Sequence, residues 1–190
     1  TWVGVYARYP QYRSRSASVQ TIEARVNDCF ERSLNGIALP PDGRDMSDIV
    51  AYLWWLSRGT PVGPSGAKVT DRFAALTPDT AQGRALFAST CARCHGDGGQ
   101  GTALAPPLWG DGSFSIGAGM ARSRTAAAFV RANMPFTAPG TLTDQQALDV
   151  AAYITRRPRP DLPQKIDDWP LGGAPADLPY QTRAGQRAPE

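Results

Sequence analysis

Three cysteines, one histidine and two lysines are all that the 190 residues supply of those types. Each scarcity excludes something. Cysteines at 29, 91 and 94 make neither an even set nor the regular spacing of a disulfide framework. A structural zinc site needs four ligands, and outside residues 91–95 there is one further cysteine and no histidine to complete it. The longest apolar run, IVAYLWWL at 49–56, is far short of the roughly 20 residues that cross a bilayer. The opening TWVGVYARYP lacks the basic and apolar regions of a secretory leader, although a mature or truncated start reads the same way. Eighteen arginines dominate a net charge of +3, yet they form no basic run or aromatic-interleaved stripe. That speaks against nucleic acid and leaves a small anion as the charged partner. Apolar residues at 42% and charged residues at 19% describe a chain able to bury a core.

What the chain does have is repetition. DIVAYL at 48–53 returns as DVAAYI at 149–154, EARVNDCF at 23–30 as FVRANMPF at 129–136, and WVG at 2–4 as LWG at 108–110. Three likenesses in one order imply duplicated modules, each ending in a helix and carrying a sulfur-bearing residue before it. The second helix opens with Thr143 and Gln146 spaced as a capping box. The first begins near Asp45 and stops at Gly59. About thirty residues precede LWG in the second module, including a helical TPDTAQGRALFAST. Nothing comparable precedes WVG, so the first module reads as truncated at its N-terminus.

Those thirty residues contain CARCHG at 91–96. C-x-x-C-H is the attachment signature of c-type haem. Cys91 and Cys94, two residues apart on one helical turn, suit thioether bonds to the porphyrin vinyl groups, and His95 suits the proximal side of the iron. A thioredoxin-like redox pair would need a parallel-sheet context that this helix-and-loop pattern lacks. Gly83 and Phe87 lie on one face of the preceding helix, where Gly83 permits close approach of the Tyr153 helix. The Pro106 carbonyl is placed to accept a hydrogen bond from the other His95 nitrogen and fix its tautomer. Met134, in the loop NMPF, is the leading candidate for the sixth ligand, with Met120 its competitor and core packing the alternative role. One CxxCH limits this chain to one conventionally attached haem.

Cys29 occupies the repeat position of Met134 and has Arg13, Arg15, Arg25 and Arg32 near it in sequence. Guanidinium neighbours favour a thiolate, a strong iron ligand and a nucleophile, and hold anions by forked hydrogen bonds. A buried, inert thiol is the alternative.

The expected architecture is all-α, two cytochrome c class I-like domains in tandem. Residues 1–63 are the C-terminal part of the first, 64–78 a linker, 79–157 the second, and 158–190 an irregular Pro-rich tail running extended over the surface. YPQYRSRSASVQTIEARVNDCFERSLNG, with DIVAYLWWLSRGTPVG and CARCHGDGGQGTALAPPLWGDGSFSIGAGMAR, resembles the tetrathionate-forming thiosulfate dehydrogenases, di-haem cytochromes related to the SoxA type. The resemblance implies a periplasmic oxidoreductase that joins two thiosulfates into tetrathionate. It implies Cys29 as ligand of a first haem and active-site sulfur, with Arg15, Arg25 and Ser33 around the substrate. Cys91, Cys94, His95 and Met134 would hold a second haem, from which electrons leave to a small cytochrome c or another high-potential acceptor. Some members carry a lysine before the methionine; Asn133 stands here, so a lysine–methionine ligand switch is not expected. A mono-haem electron-transfer cytochrome and a SoxA-like sulfur-oxidation subunit are the rival readings.

Overall fold

A computed structural model describes residues 2–63 and 71–186. After a 3-10 turn at Tyr6–Arg8 comes a hairpin of two three-residue strands, β1 (Gln11–Arg13) and β2 (Ser18–Gln20), antiparallel with Tyr12 opposite Val19. The all-α expectation omitted it, since two strands this short leave no readable alternation. Helix α1 (Ile22–Asp28) follows, its first turn satisfied by the Thr21 hydroxyl, which accepts from the Ala24 amide. A π-helical turn, Cys29–Ser33, prolongs it. Helix α2 (Arg44–Leu56) then packs back, so that Ile22, Val26, Met46 and Leu53 form one apolar cluster.

The second region is built on helix against helix. Asp79 caps α3 (Thr80–Leu86), accepting from the amides of Ala81 and Gln82. A π-helical turn at Phe87–Cys91 leads into α4 (Ala92–His95). Helix α5 (Ser123–Asn133) precedes α6 (Asp144–Thr155), whose Thr143–Gln146 capping box forms as the spacing predicts. Ala147, Leu148, Val150, Ala151, Ala152 and Ile154 are all buried, making α6 the central post. On one side it meets Phe73, Ala126 and Ala127; on the other, Phe87 and Ala92.

Residues 64–70 of the expected linker lie outside the described residues, but 71–78 are not a free connector: Phe73 is buried against Leu148 and Ala127. The tail departs further from expectation. It contains a 3-10 turn at Pro163–Asp167 and a short helix, α7 (Arg183–Gln186), and it buries Leu162, Asp168, Trp169 and Thr182. Asp177 accepts from the Arg124 amide at 2.8 Å, supplying the α5 N-terminus with the acceptor that its own preceding residue does not. A polar, proline-rich segment gives no periodic signal, so its anchoring depends on partners distant in sequence.

Gly83 is where α3 and α6 touch: a Cβ there would run into the Asp149 carbonyl. Gly83→Val should therefore cost about 1–3 kcal/mol of unfolding free energy through overpacking, read by urea denaturation, with Gly112→Ala, where a Cβ meets only ordinary contact with Pro107, as the contrast.

Candidate haem and sulfur sites

Three contacts fix the CxxCH segment. Phe87, 2% exposed, packs with Trp109 and Tyr153 at ring separations of 5.0 and 5.6 Å, locking the turn that ends at Cys91 onto α6. After His95 the chain doubles back: the Gly101 amide donates to the His95 carbonyl at 2.8 Å and the Thr102 hydroxyl to the Cys94 carbonyl. Gly99, at φ +64°, lies so close to the Trp109 ring that no side chain fits between. The return brings Pro106 to the imidazole, and His95 Nδ1 lies 2.8 Å from its carbonyl oxygen. A carbonyl only accepts, so Nδ1 carries the hydrogen and Nε2 presents its lone pair. That is the tautomer a metal ligand needs.

Cys91 and Cys94 are free and half-buried. Burial, with Cys94 adding to it, pushes the Cys91 thiol up to about 11. A redox-active Cys-x-x-Cys shows the opposite shift. The Met134 loop lies beside the motif: Arg93, between the two cysteines, donates to the Thr137 hydroxyl at 3.0 Å. Met134 is half-buried at the C-terminus of α5, whereas Met120 packs against the Phe73–Leu148 cluster. Two thiols, an imidazole of fixed tautomer and a nearby thioether fit haem c.

Around Cys29 the first region builds a different environment. Ile22 and Val26 turn inward, which leaves Arg25 and Cys29 one helical turn apart on another face. Arg25 Nη1 donates to Cys29 Sγ at 3.1 Å. Asn27 exchanges two hydrogen bonds with the backbone of Leu39, both 2.9 Å, holding the following loop against α1. Ser33, at the far end of the same turn, is exposed.

Arg15 is positioned differently from what the sequence suggests. It leaves the hairpin turn, donates to the Gly117 carbonyl at 2.9 Å and lies 4.8 Å over the Trp169 ring. Arg32 donates more weakly to the same carbonyl, at 3.4 Å, and forms a bidentate pair with Asp168 at 2.9 and 2.8 Å. Burial, then the charge of Arg32, lowers the Arg15 pKa from its ordinary value. For Arg32 burial acts in the same direction but is outweighed by Asp168 and Asp28, so its pKa rises. The Tyr180 hydroxyl donates to Asp168, and its own pKa is raised by burial and by that carboxylate. Of the three residues expected around the sulfur, the structure joins Arg25 to Cys29, directs Arg15 to an inter-region cluster and leaves Ser33 exposed. Asp168, Trp169 and Tyr180 were not foreseen; the one signal was an aromatic flanked by acids, DDW, inside a polar tail.

The helical frame and the CxxCH, with its carbonyl-fixed histidine and adjacent methionine loop, define a c-type cytochrome carrying covalently bound haem. Residues 1–62 match the SoxA/TsdA cytochrome c domain, and 78–154 match the family of cytochrome c oxidase, cbb3-type, subunit III. The thiosulfate dehydrogenase of Psychrobacter arcticus is 44% identical over 93% of this chain and 57% of its own length. That of Allochromatium vinosum is 45% identical over 84% of this chain and 62% of its own. The thiosulfate dehydrogenase (TsdBA) structure from Marichromatium purpuratum superposes with a TM-score of 0.77 at 37% identity, covering 86% of this chain and 38% of that one. Over most of its length the chain is similar to thiosulfate dehydrogenases, and it spans between half and two-thirds of the length of the two curated relatives. No helix among the described residues is long and apolar enough to cross a membrane.

Met134→Leu in the haem-loaded protein should abolish the methionine–iron charge-transfer band in the red and lower the haem potential. Met120→Leu should leave both unchanged. The reverse pattern would transfer the sixth-ligand role to Met120.

Proposed function

We propose that the protein containing this chain oxidises thiosulfate to tetrathionate at Cys29 and passes the electrons on through the haem held by Cys91, Cys94 and His95, with Met134 as its sixth ligand. The observation carrying this is the 3.1 Å contact of Arg25 with the Cys29 sulfur.

The reaction joins the terminal sulfurs of two dianions through one new S–S bond and releases two electrons, reducing total charge from −4 to −2. Bringing two dianions together is the electrostatic obstacle, and guanidinium groups offset it. Arg25 donates directly to the Cys29 sulfur, and Arg15 adds positive charge next to Arg32 of the same turn. Ser33, exposed on the same turn, is free to donate a hydroxyl to a sulfonate oxygen. When bound, haem c supplies one-electron acceptor chemistry, at higher potential with methionine than with thiolate ligation. Met134 would thus hold the electron-accepting group at higher potential than the Cys29 side, and the partner suited to receive the electrons would be a small cytochrome c or a comparable high-potential acceptor. The compartment this implies is the periplasm.

A tandem arrangement belongs to the same proposal. Both sulfur residues directly follow a helix, Cys29 after α1 and Met134 after α5, and each such helix precedes a repeat-matched partner, α2 or α6. Yet α2 buries only Met46 and Leu53, and its Tyr52, Trp54 and Trp55 are exposed, where the corresponding Tyr153 packs on Phe87 of the α3 side. Tyr52 and Trp55, stacked at 5.8 Å, offer an aromatic surface suited to a further haem.

Thiosulfate turnover by the full-length protein with an artificial acceptor is the test. Cys29→Ala should reduce kcat at least about a hundredfold, and Arg25→Gln should raise KM about tenfold. Activity indifferent to Cys29→Ala would leave an electron-transfer cytochrome; activity that appears only with a partner and a sulfur carrier would favour a SoxA-like subunit.

A further inference from the structure

We propose that the C-terminal tail is part of the anion site: Asp168 and Trp169 act as positioning residues that set Arg32 and Arg15, and through Arg32 the turn bearing Cys29.

Two consecutive tail residues grip two arginines at once. Asp168 takes Arg32 in a two-pronged pair whose side chains are 13% and 5% exposed. Trp169 takes Arg15 twice, with its ring 4.8 Å beneath the guanidinium and its amide donating to the Arg15 carbonyl at 2.7 Å. Both guanidiniums converge on one acceptor, the Gly117 carbonyl. Like charges this close repel; Asp168, oriented by the Tyr180 hydroxyl, offsets this at the guanidinium end of Arg32, and Asp28 does so at its Nε.

Arg32 belongs to the Cys29–Ser33 turn, so its restraint is transmitted by three covalently linked residues to the sulfur. The turn is held from several directions. The Asp28 carboxylate lies 3.3 Å from Arg32 Nε, Asp168 binds the far end of the side chain, and the Arg32 carbonyl accepts from both the amide and hydroxyl of Ser115, at 3.0 and 2.9 Å. Ser115 is fully buried. The sulfur-bearing turn is therefore fastened to the CxxCH-bearing region and to the tail, rather than only to its own helix. Removing the Asp168 charge leaves Arg32 buried without its strongest partner, which costs more than the pair contributes when intact. Arg32 must then turn toward Asp28 or solvent, loosening the Cys29 turn and letting Arg15 leave Gly117.

The argument about Arg15 and substrate rests on the thiosulfate reading; the argument about the Cys29 turn does not, and the experiment separates them. In the full-length holoprotein, Asp168→Asn and the milder Tyr180→Phe are compared with wild type by two measurements. One is the KM and kcat for thiosulfate; the other is the rate at which iodoacetamide alkylates Cys29, followed by mass spectrometry. For Asp168→Asn the expected result is a rise of about tenfold in both KM and alkylation rate, with Tyr180→Phe shifting both about threefold. The methionine–iron band of the other haem should not change in either variant. Wild-type KM and alkylation in an Asp168→Asn protein with that band intact would overturn the proposal. Should Asp168→Asn fail to fold, wild-type values in Tyr180→Phe would overturn it equally. If wild type does not oxidise thiosulfate, the proposed activity falls, and the alkylation comparison alone decides whether the tail holds the turn.

Discussion

The close approach of α3 to α6 at Gly83 is the constraint from which the haem region follows. With no side chain between them, the two backbones come near enough for Asp149 to accept the Asp79 amide at 2.8 Å, which starts α3 at a fixed point on α6. From that start, Phe87 falls against Tyr153 and Trp109, and the next turn delivers Cys91, Cys94 and His95 in order. The glycine loop then returns Pro106 to the imidazole. A larger residue at Gly83 would displace the whole train, because each step is covalently or sterically tied to the one before.

The first region lacks such a post among the described residues and is held from outside. Its Cys29 turn depends on Ser115, Gly117 and Asp168, all distant in sequence. A buried ion pair such as Arg32–Asp168 adds little net stability, since desolvating two charges offsets most of their attraction. What it adds is specificity of placement: the bidentate geometry admits one orientation of the guanidinium. Stability therefore comes mainly from the apolar packing on α6 and in the Ile22–Leu53 cluster, whereas the arginine network fixes where charge is presented.

Much of the helical frame was legible, for reasons that are local. A capping box, a glycine one turn from a phenylalanine and a CxxCH are all short-range patterns, and short-range geometry enforces them. The His95–Pro106 bond was also readable, being eleven residues long and confined by glycines. The hairpin was not, because three-residue strands carry no period. Phe73 was assigned to a connector because Gly and Pro dominate its surroundings, yet one large apolar side chain sufficed to draw that segment into the core.

Sequence by itself determined the haem attachment chemistry and the order of helices, since each is set by residues within a turn or two of one another; which of the four arginines near Cys29 reaches its sulfur came from the structure. Tertiary structure decided which arginine meets which carboxylate. Arg15, near Cys29 in sequence, binds across to Gly117 and Trp169, and the tail expected to run over the surface is anchored through Asp168. Long polar side chains find partners by burial and charge balance over the whole fold, and no periodicity in a chain encodes a contact between residues 32 and 168.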